Sequence, residues 1–143
     1  MNRYPEETLD QDREDDGTMP GNVDQLREAV VGRRIVKAET RKIEWPRPYG
    51  VSEDQTVLTL DDGRQVVLQG TNDCCAFTEM ESFWLDPSSV DHVITGVGTT
   101  DSYTTWHIYA DFGDVMRLHL DWDCGNPFYY GYGFDITVRE AHP

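Results

Sequence analysis

The chain is short of cysteine: Cys74, Cys75 and Cys124 are its whole complement. An odd count that includes an adjacent pair makes a poor disulfide framework. Free, buried thiols in a reducing cytosol are therefore expected, with a bridge from Cys74 or Cys75 to Cys124 as the alternative. No apolar run approaches the ~18 residues of a membrane-spanning helix. The N-terminal MNRYPEETLD has no apolar stretch of the secretory kind, so neither a span nor a signal is expected. Catalytic signatures are missing too. There is no Gly-x-Ser-x-Gly elbow and no His-Glu-x-x-His pattern. Gly96-Val97-Gly98 lacks the third glycine and the following helix of a dinucleotide loop. No internal repeat is present. Bases are scarce, 12 Lys and Arg against 27 Asp and Glu.

What is present suffices for a core. Of 143 residues, 38% are hydrophobic and 11% aromatic, which predicts one folded domain. The net charge of -15 is unevenly spread. Residues 1–32 hold nine acids and three arginines; residues 33–49 hold six bases and two acids; residues 50–143 hold sixteen acids and three arginines. A surface of that sign repels nucleic acid and favours basic partners, cations or simple solubility.

Residues 1–21 combine charge, Pro5, Pro20, Gly17 and Gly21 with few apolar groups, and a flexible acidic tail is expected there. The remainder, 22–143, is expected to be a single β-rich domain. Asn22 can cap a short helix over residues 23–31 in which Val23, Leu26 and Val30 form one apolar stripe and Gly32 is the stop. Residues 34–43 alternate as a strand, and the two prolines of Trp45-Pro46-Arg47-Pro48-Tyr49-Gly50 break it. Strands at 56–60 and 64–69 flank Asp61-Asp62-Gly63. A three-residue turn with Gly63 in the left-handed region sets Leu58 opposite Val66, Thr56 opposite Leu68 and Thr59 opposite Gln65. Residues 70–89 read as irregular, with a helical turn near 78–85 as an option, and a strand at 92–99, weakened by Gly96 and Gly98, follows.

Residues 103–111 and 115–122 form the clearest hairpin. A two-residue Gly113-Asp114 loop would set Ile108 against His119 and Trp106 against Asp121, mixing core with polar residues on both faces. An odd loop, most simply of three residues, restores apolar against apolar. It leaves Thr105, His107 and Tyr109 facing Arg117, His119 and Asp121. A last strand over 128–138 alternates aromatic and aliphatic residues with Gly131 and Gly133, a bare strip open to close approach. The expected architecture is a single antiparallel meander-like sheet, curled or sandwiched, with one short N-terminal helix.

Four constellations bear on chemistry. His107, His119 and Asp121 share a sheet face, where imidazole and carboxylate suit a metal or an acid–base pair; an ordinary polar face with a histidine bonded to a carboxylate is the competing reading. Zinc held by Cys74, Cys75, Cys124 and His92 requires two adjacent cysteines on one tetrahedral ion, and the spacing matches no zinc pattern. Asp121-Trp122-Asp123-Cys124-Gly125-Asn126 begins like a calcium loop, but the closing acid position is Tyr132. Trp45, Tyr49 and Tyr129, with Asp121 and Asp123, are candidate partner-binding residues, since Trp and Tyr are enriched at interfaces. No cofactor is expected.

Thr105-Trp106-His107-Ile108-Tyr109-Ala110-Asp111 and the run from Asn126 to Asp135, with Gly32-Arg33-Arg34-Ile35-Val36 and Asp73-Cys74-Cys75-Ala76, resemble a family of small uncharacterised proteins of actinobacteriophages and actinobacteria. The resemblance covers roughly residues 32–139 and carries no assigned activity. It implies a phage accessory or virion-associated protein, or a bacterial relative, in the host cytosol. Three functions are set against each other: a non-catalytic acidic module on a host or virion protein with a basic surface, a nucleic-acid mimic inhibiting a DNA-binding protein, and a small metal-dependent hydrolase using His107, His119 and Asp121.

Overall fold

The computed structural model describes Tyr4 and residues 18–44, 52–72, 77–86, 88, 91–101, 103–123 and 135–140. Among these residues, one helix, α1 (Thr18–Val30), precedes nine strands. These are β1 (Ile35–Glu44), β2 (Ser52–Leu60), β3 (Gln65–Gln69), β4 (Thr71–Asn72), β5 (Phe77–Leu85), β6 (Gly96–Thr100), β7 (Thr105–Ala110), β8 (Gly113–Asp123) and β9 (Asp135–Arg139).

The strands form two antiparallel sheets, in the orders β1-β2-β3-β9 and β4-β5-β8-β7-β6. The expectation of a single meander-like sheet, curled or sandwiched, is overturned. After β3 the chain starts a new sheet, and β9 returns to pair with β3 (Leu68 opposite Ile136), not with β8. The physical reason lies in the pattern of burial. Leu58, Val66 and Leu68 face the main core, while Val57 and Val67 pair on the other face and are buried as well. Strands buried on both faces do not suit a sheet with one solvated side. Both sheets and the helix contribute to one core cluster that includes Leu26, Val30, Leu58, Leu68, Trp106, Ile108, Met116 and Leu118.

The stripe on α1 behaves as its spacing predicts: Leu26 and Val30 are buried and Val23 packs against them. The cap does not. Asn22 lies inside the helix, buried, with its amide donating to Gln25 Oε1 at 3.1 Å. The helix starts at Thr18, within the stretch expected as tail, and takes in Pro20, which the first helical turn tolerates because its missing N–H has no partner there. Gly32 closes the helix at φ 85°, and its amide donates to Ile94 O at 2.9 Å.

The β2–β3 register is the predicted one, with Leu58 opposite Val66, Thr56 opposite Leu68 and Thr59 opposite Gln65. Gly63 has φ 89° and donates to Leu60 O. The helical turn expected near 78–85 is instead strand β5, because Phe83 and Leu85 pair with Leu118 and Met116 of β8; cross-strand packing overrides local preference. The strand expected from residue 92 begins at Gly96, and β9 begins at Asp135. The glycine strip at 131 and 133 lies outside the described residues.

In the β7–β8 hairpin, Trp106 faces Leu118 and Ile108 faces Met116, apolar against apolar as anticipated. The odd residue sits elsewhere than expected. The turn is the two residues Asp111-Phe112, with Ala110 opposite Gly113. The register shifts between Ile108 and Tyr109, so Val115 is an extra residue within the strand. Such a bulge re-aims neighbouring side chains, and here it sets up the polar cluster.

Candidate polar cluster and turn surface

The bulge puts Asp114 opposite Tyr109, beside His107. Its side chain is only 4% exposed, so its oxygens require donors. Oδ2 accepts from His107 Nδ1 at 2.8 Å and from Arg117 Nε at 2.7 Å. Oδ1 accepts from the phenol of Tyr4 at 2.9 Å. Burial pushes the Asp114 carboxyl up, but the hydrogen bonds from Arg117, His107 and Tyr4 outweigh it and hold the group below its ordinary value.

An ionised carboxylate accepts only, so the His107 Nδ1 carries a proton. In the neutral ring, Nε2 then accepts from Thr100 Oγ1, 2.7 Å away. Thr100 ends β6 just before a turn in which Asp101 and Tyr103 hold φ of 58° and 63°, a conformation costly for a bulky residue such as tyrosine. Arg117 is fixed from its other side by the Trp84 ring, 4.9 Å from its guanidinium carbon.

Tyr4 completes the cluster. Its ring stacks on His107 at 4.0 Å and 15°, and meets Tyr109 edge-on at 5.6 Å. Gly98 makes room, since a Cβ there would come within 2.4 Å of the Tyr4 Cβ. Gly96 does the same for Tyr109, with 2.3 Å to its hydroxyl. Glycine in a strand often marks such close approach.

The order Thr100 hydroxyl, His107 imidazole, Asp114 carboxylate is that of a nucleophilic triad. Two features favour a structural role. The attacking group would be a secondary hydroxyl, and a tyrosine ring covers one face of an imidazole whose side chain is 10% exposed.

Of the residues singled out from sequence, His107 is here, but it binds Asp114 and Thr100. His119 sits across from Thr105 of β7 and Ser82 of β5; Asp121 is exposed and faces position 79 of β5. Among the described residues, no group of three or more His, Cys, Asp or Glu is placed to hold a metal ion. Trp45, Tyr49, Tyr129 and all three cysteines lie outside the described residues, and Asp123 is placed by its backbone at the end of β8. Sequence reasoning missed Asp114, Tyr4, Thr100 and Phe112. Phe112 carried a signal, because two-residue hairpin turns favour Gly, Asn and Asp.

Phe112 is 84% exposed at the turn tip. Among the described residues, its ring meets the edge of the His92 ring, at 4.9 Å. Asp91 and Val93, the chain neighbours of His92, are exposed, and so is Asp111. The nearby Arg34 donates to Asp91 O and is drawn to Asp61 at 3.6 Å.

The architecture is that of a small mainly-β domain with a buried polar cluster and an aromatic turn tip. Residues 28–136 match the model of a domain of unknown function, DUF7448, and the chain belongs to that family. No curated protein and no solved structure matches it. Among the described residues, no helix is long and apolar enough to cross a membrane.

Proposed function

We propose that this chain is a non-catalytic binding module that docks a host or virion protein through an acid-flanked aromatic tip. The observation that carries the reading is Phe112: a phenyl ring 84% in solvent, in a turn that needs no aromatic residue. Central aromatic anchors dominate interface energetics, and large exposed apolar groups in a cluster mark interaction sites. Asp111, next to it in the chain, and Asp91, next to its ring partner His92, are exposed acids that favour a basic surface.

The charge distribution points the same way. Arg27, Arg33, Arg34, Lys37, Arg64 and Arg117 each lie in an ion pair with an acid of this chain. The basic segment is thus partly neutralised internally, by Asp61 and Asp62 at the β2–β3 turn. Glu28, Asp121, Asp135 and Glu140 are exposed and have no ion pair among the described residues. The resemblance to actinobacteriophage proteins supports an accessory role in the host cytosol. The metal-dependent hydrolase has less support, since His107 commits both nitrogens to Thr100 and Asp114.

The test is capture from actinobacterial lysate at low and moderate salt by the native chain and by a chain carrying Asp91→Lys and Asp111→Lys. A discrete partner, weakened by salt and lost on charge reversal, is expected. Nothing retained at either salt, or equal retention by both chains, contradicts the proposal. Displacement of the captured protein by DNA identifies the interaction as nucleic-acid mimicry.

A further inference from the structure

The polar cluster is built as a socket, and a residue from far along the chain fills it. His107 supplies the floor, stacked under the Tyr4 ring at 4.0 Å. Tyr109 supplies a wall, at 63° to that ring. Gly98 faces His107 across β6 and β7, and leaves the space in which the Tyr4 Cβ lies. Asp114 divides its oxygens: Oδ2 serves His107 and Arg117, and Oδ1 takes the phenol of Tyr4. Arg117 and His107 are the charged and titratable groups on this carboxylate besides the phenol.

The family match spans residues 28–136 and so contains Gly98, Thr100, His107, Tyr109, Asp114 and Arg117. Tyr4 lies outside it. The residues that form the socket thus lie within the matched segment, and its occupant lies outside it. With Tyr4 withdrawn, Oδ1 loses its protein donor and the carboxylate opens to water at the end of the socket, where a phenol of suitable reach replaces that water. The remaining shape is a flat ring-binding floor with a carboxylate at its end, complementary to a phenol.

We propose that this socket is a binding site for a tyrosyl side chain, filled in cis by Tyr4 and open to a tyrosine on a second peptide when Tyr4 is displaced. The site is separate from the Phe112 tip and does not depend on the docking reading. A phenylalanine fills the same space but brings no donor to Oδ1. A hydrogen bond to a charged acceptor discriminates the two roughly tenfold or more.

The experiment uses the full chain carrying Tyr4→Ala and, as probe, the decapeptide MNRYPEETLD from its own N-terminus. Amide and ring resonances of Gly98 and His107 are followed by NMR. The substitution is expected to move both signals, and the peptide to return them saturably toward their native positions. The same peptide with Y4F is expected to bind about tenfold or more weakly. The native chain, already occupied, is expected to show no response at the same peptide concentration. A Tyr4→Ala chain whose Gly98 and His107 signals stay in place overturns the proposal. So does a peptide that fails to bind it, one that binds the native chain equally, or equal affinity of the two peptides.

Discussion

Phe112 and Asp114 are two residues apart, and their surroundings are inverted. The phenyl ring is 84% exposed and the carboxylate 4%. Burial of a charge and exposure of a large apolar group both run against the usual partition. The difference teaches what each residue is for. Asp114 is compensated within the molecule, by Tyr4, His107 and Arg117. Phe112 has no comparable compensation among the described residues, and under the proposed docking reading a partner supplies it. The single extra residue Val115 helps make the inversion, because it resets which side chains of β8 face His107.

The comparison can be broken most severely at Asp114. Asp114→Ala leaves His107 and Tyr4 without their acceptor and is expected to cost about 3 kcal/mol, the range seen when one partner of a buried charged network is removed. Denaturant unfolding measures it, and a loss below about 1 kcal/mol would mean that the carboxylate is not integral to the fold. Gly96→Ala probes the wall of the socket. Its Cβ would approach the Tyr109 hydroxyl to 2.3 Å, and a cost of about 1–3 kcal/mol is expected, with the Tyr109 ring signals displaced in NMR spectra.

Acid sharpens the comparison. The Asp114 carboxyl is pushed up by burial but held down more strongly by Arg117, His107 and Tyr4, below the ordinary 3.8. A carboxyl depressed in the folded state contributes its stability above the unfolded value and loses it as pH falls through the folded value. Denaturation midpoints of the native chain should therefore fall as pH drops below about 3.8. Asp114→Asn should make that decline shallower. Asp62 is also held low, first by the Arg64 amide and then by the side chains of Arg64 and Arg33. Its half-buried position at a turn makes Asp62→Asn the milder change on the same acid limb. The smallest effect on stability is expected at Phe112→Ala, within about 0.5 kcal/mol, since exposed side chains away from the core contribute little.

Much of the local structure is legible in the sequence, and the limits have physical causes. Asp61-Asp62-Gly63 fixes the β2–β3 register because loop length and a left-handed glycine determine it. Trp106, Ile108, Met116 and Leu118 declare their common face through alternation. The second sheet was not legible, because which strands share a sheet is decided by non-local pairing, such as Leu68 with Ile136, and not by local alternation. Nor was the cluster around Asp114. A bulge changes facing without changing the hydrophobic pattern around it, and the Tyr4–Asp114 bond spans 110 positions. Gly96 and Gly98 read as weak points in a strand, whereas they are the places where two tyrosines lie against the sheet.

The most direct test of the docking account is retention of a captured partner by the native chain and by Phe112→Ala, side by side at moderate salt. The account predicts that the native chain holds a discrete protein and that the variant, equally stable, loses it by roughly tenfold or more, as befits removal of a central aromatic anchor. Equal retention of the same protein by both chains would contradict it.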